Sequence, residues 1–391
     1  MKIPDYLGSM AFGLKMGVIL PGMDIVEEVL KALSCCDRDG LLGDNDVICI
    51  TESVVARAQN NYITVDDIAR EISSKLGLKE EDRLAVVFPI ASRNRFSMIL
   101  KGLARAVPRG EVVIQFSYPA DEVGNQVIDA DFARQLNKEV ITFEDLSGYS
   151  FKHPVTGVDY INLYREIVAG EGARPVLILS NDPLEALNYN PDGVIAADIH
   201  TRAATRKALS RQFDNLITLD QVFTGGEAYS EWGLLGSNMS SGERLKLAPR
   251  EGKALVQDLQ DRIKKRFDFD VQVMIYGDGA YLDPTSGIYE LADPRAAFAA
   301  TDGLNCLREG FKYKYLADQC YHEDKKTAEE IAAILSECAG RKSAQDSMDR
   351  EGTTPRHMED VLASLADLVS GSADAGTPVV VIKNFLAPPG R

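Results

Sequence analysis

Four short stretches carry residues able to do chemistry. In Ser92-Arg93-Asn94-Arg95 two arginines stand between an apolar strand and the start of a helix. There the helix dipole and the guanidinium charges add, so the stretch can hold a carboxylate or a phosphate; a solvated basic turn is the plainer reading. Tyr276-Gly277-Asp278-Gly279-Ala280 follows a second apolar strand. Its glycines let backbone approach a ligand closely, and Asp278 suits Mg²⁺, which takes one or two carboxylates plus phosphate oxygens. Asp-Gly also marks ordinary hairpin turns. Ala197-Asp198-Ile199-His200-Thr201-Arg202 is again a strand end leading into a helix, and His200 is one of only four histidines. Asp198 and His200 there could form a metal or acid/base pair, or could cap the helix. In Gly352-Thr353-Thr354-Pro355-Arg356, Thr354 reads as an N-cap with Pro355 at the first helical position, and the helix carries Asp360 and Asp367. For Asp360 a functional role and a solvent-facing one weigh about equally.

The common nucleotide and nucleophile signatures are missing. The sequence has no G-x-x-x-x-G-K-[ST] loop, no convincing G-x-G-x-x-G between a strand and a helix, and no G-x-S-x-G elbow. A nucleotide would have to be held by another architecture.

Alternating strand and helix patterns position these stretches, which argues for an α/β protein of mixed α+β character. Strands are expected at 13–19, 46–51, 84–90 and 111–117. A helix capped by Asp24 should run to about residue 33, another should begin at Thr64, and a third should cover 95–107. The run 118–230 carries its own units: strands at 175–179 and 193–198, then a basic helix at 201–211. It reads as an inserted α/β module between a first core part, 1–117, and a second, 231–391. The second part should hold strands at 244–247, 271–276 and 377–383, and helices at 252–267, near 294–320, at 326–339 and at 356–370. Residues 340–352 are polar and read as a loop.

Composition narrows the function classes. The 391 residues are 45% hydrophobic and 26% charged, as in soluble globular proteins. A formal net charge of −16 disfavours non-specific nucleic-acid binding, which needs a basic surface. Positive charge for a phosphorylated ligand must then be gathered locally. The six cysteines, at 35, 36, 49, 306, 320 and 338, show no C-x-x-C pair and read as reduced structural thiols. With no signal-peptide core and no membrane-length apolar run, the chain is expected to be cytoplasmic and away from membranes.

These places and their order resemble the coenzyme F420-0:gamma-glutamyl ligase family, in a longer branch with an inserted module. The stretch 360–368, then Gly371-Ser372-Ala373-Asp374 and 377–382, looks like that family's acidic helix, turn and closing strand. Gly43-Asp44 and 51–58 resemble its early strand and helix, and 233–238 with 242–247 its Ser-Asn element. Three positions depart from its pattern: Leu235 where the family has a metal-binding aspartate, Val361 where a glutamate follows the helix aspartate, and Gly279 where Thr or Ser follows Asp278.

The resemblance implies a GTP- or ATP-dependent ligase using Mg²⁺ or Mn²⁺. It would phosphorylate a small-molecule carboxylate substrate and join L-glutamate to the acyl phosphate as an amide. Asp278 and Asp360 would be catalytic metal ligands, with Asp198 and His200 as candidates from the insert. Arg93, Arg95, Ser237, Asn238, Thr354 and Arg356 would bind the nucleotide or other anions. A homodimer is also implied. A non-catalytic nucleotide- or metabolite-binding homologue, or folate-type polyglutamylation, stay open as alternatives.

Overall fold

The computed structural model describes residues 4, 6–153, 155–279, 281–282, 289–307, 312–338, 356–370 and 376–386. Strand β1 (Met10–Leu14) leads to α1 (Ile25–Arg38), whose N-cap Asp24 accepts a hydrogen bond from the Glu27 amide at 3.1 Å. β2 (Val47–Thr51) runs directly into α2 (Glu52–Ala58). β3 (Tyr62–Thr64) enters α3 (Val65–Leu76) through a reciprocal capping box of Thr64 and Asp67. Next come β4 (Arg83–Val87), α4 (Phe96–Ala106), β5 (Glu111–Phe116), α5 (Ala130–Leu136), β6 (Val140–Thr142), α6 (Tyr160–Gly170), β7 (Arg174–Ser180), β8 (Gly193–Ala196), α7 (Arg202–Leu209) and β9 (Leu216–Thr218). The chain continues through β10 (Asn238–Met239), β11 (Arg244–Lys246), α8 (Gly252–Phe267) and β12 (Gln272–Tyr276). The hairpin β13 (Tyr281–Leu282) and β14 (Tyr289–Glu290), then β15 (Ala297–Ala300), α9 (Tyr313–His322), α10 (Ala328–Cys338), α11 (Met358–Ser370) and β16 (Val379–Lys383) complete it. The fold is α/β with mixed α+β character.

Two sheets organise the molecule. The larger has the order β6-β7-β5-β4-β8-β9, parallel throughout except for β6 against β7. Strand order reverses between β4 and β8, the doubly wound arrangement whose crevice opens at the carboxyl ends of the strands. This sheet crosses the expected boundary at residue 117. The apolar residues of β4 (84–87) and β5 (112–114 and 116) are buried, and the partner strands that flank them, β7 and β8, come from 118–230.

The second sheet has the order β1-β16-β2-β12-β15, with β2 and β12 parallel and the other pairs antiparallel. Period-two alternation divides its core. Ile48, Ile50, Val379 and Val381 pack with residues of α1 and α8, whereas Val47, Cys49, Val380 and Ile382 pack with Leu362, Ala363 and Ala366 of α11. A small sheet, β10-β11-β3, carries Asn238 on its edge strand β10, opposite Lys246.

Some expected elements shift. The first strand is 10–14 and not 13–19, because its register follows the five residues of β16, Met10 opposite Lys383 and Leu14 opposite Val379. The strand expected at 84–90 ends at Val87, where Phe88 takes a positive φ of 57°. The helix expected near 294–320 is divided: its alanine-rich beginning is β15, paired antiparallel to β12, a single 3-10 turn follows at Asp302–Leu304, and among the described residues the α-helix covers Tyr313–His322. Tertiary pairing overrides alanine's helix propensity there. The expected loop at 340–352 lies outside the described residues. All six cysteines are free, and among the described residues no helix is long and apolar enough to cross a membrane.

Candidate active site

The turn after β12 gathers the strongest concentration of buried charge. A Cβ at position 277 would run into the Asp293 carboxylate and the Phe298 ring, so glycine is what lets the chain turn here. The Asp278 amide then donates to Asp293 at 2.8 Å, and the Gly279 amide donates to Asp367 on α11 at 2.8 Å. Arg95, immediately before α4, reaches across from the larger sheet. Its guanidinium donates to Asp293 at 2.7 Å and forms an ion pair with Asp278. Asp293 is 1% exposed, so the paired guanidinium is what makes its burial tolerable. The β2–α2 junction contributes the next member: Glu52, buried at the start of α2, accepts from Lys246 of β11 at 2.5 Å.

Four carboxyl groups therefore face two cations. The imbalance is felt at Asp278: burial first, then the charges of Asp293, Glu52 and Asp367, push its carboxyl up to about 7 against the pull of Arg95. Burial also raises the Glu52 carboxyl, opposed by the Lys246 ammonium. For Arg95, burial opposes the charged form, but Asp293 and Asp278 outweigh it and hold the guanidinium above its ordinary value.

A cavity of about 290 Å³ opens on this cluster. Its wall includes Thr51, Glu52, Arg57, Asn238, Asp278 and Asp367. Tyr276, whose hydroxyl donates to Ser370 at 2.8 Å, closes one side. Glu52, Asp278 and Asp367 offer only oxygen donors, the chemistry a hard divalent cation takes. The acidic surplus is what such a cation would neutralise, so the residues fit it. In the arrangement described, no three acidic, histidine or cysteine side chains already converge on one metal position among the described residues.

Of the residues singled out from sequence, Arg95 and Asp278 are in direct contact, and Asn238 lines the same cavity as Asp278. Ser237, next to Asn238, is buried, and its hydroxyl has no partner among the described residues. Arg93 and Arg356 are exposed, and Thr354 lies outside the described residues. Asp360 lines a different cavity, with Arg295, His357 and Ser364. Asp198 is fully buried at the β8–α7 turn, accepting from the Thr201 and Thr205 hydroxyls at 2.7 Å each. His200 is exposed, with Nε2 2.6 Å from the Leu291 carbonyl. Neither Asp198 nor His200 is among the residues lining the Asp278 cavity.

Residues 13–384 match the model of the F420-0:gamma-glutamyl ligase family. The chain belongs to that family. As a member of the F420-0:gamma-glutamyl ligase family it is a ligase, and glutamate ligation is its class of activity. No curated protein matches it in sequence. In this family member, Leu235 is 2% exposed and packs with Leu234 and Phe96 in the apolar core of the larger sheet. It turns away from any ligand role.

Sequence reasoning missed Glu52, Arg57, Lys246, Asp293 and Asp367 as parts of this site. Two signals could have found some of them. Thr51-Glu52 ends an apolar strand at a helix start, and Asp367 stands seven residues beyond Asp360, on the same helical face. Nothing local marks Asp293 or Lys246.

Proposed function

We propose that this chain is a nucleotide-dependent amide-forming ligase. It joins L-glutamate to a small-molecule carboxylate by way of an acyl phosphate, using GTP or ATP and Mg²⁺ or Mn²⁺. The observation carrying this reading is Asp278, which is ion-paired to Arg95 beside buried Asp293 and lines one cavity with Glu52 and Asp367 at the carboxyl ends of the parallel strands β2 and β12.

In this reading Glu52, Asp278 and Asp367 hold the divalent ion, which when bound neutralises charge on the transferring phosphoryl group. Arg57 and Asn238 line the same wall and bind phosphate oxygens. Arg95 keeps Asp278 and Asp293 in place while the site is empty of cations. A substrate carboxylate oxygen attacks the terminal phosphorus and releases nucleoside diphosphate. The glutamate amine then attacks the acyl carbon, releasing phosphate and a proton.

The reading is tested by incubating the purified protein with each nucleotide, each metal, L-glutamate and a panel of acids. Nucleoside diphosphate should appear in step with a product heavier by one glutamyl residue, and only with metal present. Nucleotide consumption without any amide product, or none with any acid, would overturn it. A second reading rests on Leu235: an apolar residue at the position where the resemblance sets a metal-binding aspartate favours a homologue that binds nucleotide without turnover. Calorimetric nucleotide binding with no product formed would select that reading.

A further inference from the structure

The 277–279 turn rests on α11, and it separates two cavities along one face of that helix. The Gly279 amide bonds Asp367, and a Cβ at 279 would stand 3.5 Å from the Ser364 Cα. Asp367 and Ser370 line the cavity with Asp278, whereas Asp360 and Ser364 line a second one of about 640 Å³. Positions 360, 364 and 367 lie four and three residues apart and so share a face, with Asp360 about 10 Å along the axis from Asp367. The second cavity is thus the immediate neighbour of the site proposed for phosphoryl chemistry.

Its lining has both signs of charge. Arg295 is half-exposed and ion-paired with Glu359, whose side chain is mostly buried. Asp360, His357 and Asn305 complete the polar wall. A single guanidinium already shared with a glutamate, beside a second carboxylate, is a poor cradle for a triphosphate, which repels Glu359 and Asp360. A small zwitterion matches it. The guanidinium has five N–H donors in a planar fork, more than the pair with Glu359 uses among the described residues, and the others can take a carboxylate. Asp360 can take an ammonium group. The cavity falls within the usual range for small-ligand sites.

We infer that this second cavity is the subsite for the amino-acid substrate, an acidic α-amino acid. Arg295 binds one of its carboxylates and Asp360 its ammonium group. Asp360, on this assignment, is a substrate-binding residue and not a ligand of the metal. The inference rests on the ligase reading above, and it explains how two substrates reach one bond: the acid and nucleotide on the Asp278 side of the turn, the amine on the Asp360 side.

Equilibrium dialysis of labelled L-glutamate against the full chain tests it apart from turnover. The wild-type protein should bind L-glutamate with or without metal. Arg295→Gln and Asp360→Asn should each weaken binding about 10- to 100-fold, the cost of losing one charged hydrogen-bond partner, with Arg295→Lys in between. In steady-state assays the same variants should raise the KM for glutamate by a similar factor and leave the KM for nucleotide unchanged. Circular dichroism of each variant guards against misfolding. Glutamate binding that is absent from the wild type, or equal in wild type and Arg295→Gln, overturns the subsite. Normal glutamate binding in a protein that never consumes nucleotide overturns the ligase reading and leaves the subsite standing.

Discussion

At the carboxyl end of the six-stranded sheet, two acidic side chains are taken up by the chain's own donors. Asp121 accepts from the amides of Ala91, Val123 and Asn125 and from the Asn125 side chain. Glu122 accepts from the amides of Ile199, His200 and Thr201 at the head of α7, where an anion is favoured. At the carboxyl end of the five-stranded sheet, Glu52, Asp278, Asp293 and Asp367 crowd around Arg95 and Lys246 with negative charge left over. In both places acids sit where a strand hands over to a helix, yet only at the second do four carboxyl groups outnumber the cations paired with them. Acids whose charge is met by neutral donors of the chain serve the architecture. Acids held against one another mark a place for a charged ligand.

Removing the shared cation should break the contrast most severely. Arg95→Met leaves Asp293 buried without its partner, so stability should fall by about 3–5 kcal/mol in urea unfolding and ligase turnover should vanish. An unchanged unfolding midpoint would mean that Arg95 is not what holds the acidic turn. Asp278→Asn should instead separate function from stability. Turnover should drop about 100- to 1,000-fold, as when one preorganised electrostatic group is lost. Stability should stay level or rise, since one of the crowded negative charges is gone.

At the other sheet the order inverts. Asp121→Asn should lower stability by about 1–3 kcal/mol, because one buried amide loses its acceptor. Turnover per folded molecule should be unchanged. A comparable turnover loss in Asp121→Asn and Asp278→Asn would erase the distinction between the two ends.

The smallest effect is in pH. The folded Asp278 carboxyl titrates near 7, well above its ordinary value of 3.8. Between those values the folded chain holds a proton that the unfolded chain has lost, so stability falls as pH rises toward about 7. With 43% of the side chain exposed, solvent screens much of this. Unfolding midpoints at pH 5 and pH 8 should differ slightly more for wild type than for Asp278→Asn.

Much of the scaffold was legible because its signals are local. The Thr64–Asp67 box, Asp24 as a cap, and the apolar runs of β2, β12 and β16 depend on neighbours a few residues away. What could not be read was long-range pairing. β2 lies between strands that follow it by more than 200 residues, and β15 becomes a strand only because β12 is beside it. The site divides in the same way. Arg95 could be named as an anion holder from its place before a helix, but its partners are carboxylates nearly 200 residues away. Asp293 sits in an Asp-Pro sequence that reads as an ordinary turn, and Asp198, chosen for its strand-end position, is enclosed by threonine hydroxyls.

The most direct test of the account is a Mn²⁺ titration followed by electron paramagnetic resonance near pH 7, with proton release recorded alongside. Wild-type protein should bind Mn²⁺ and release protons as Asp278 ionises. Asp278→Asn should lose most of both signals, and Asp198→Asn should keep them. Undiminished Mn²⁺ binding in Asp278→Asn, or its loss in Asp198→Asn, would contradict the account.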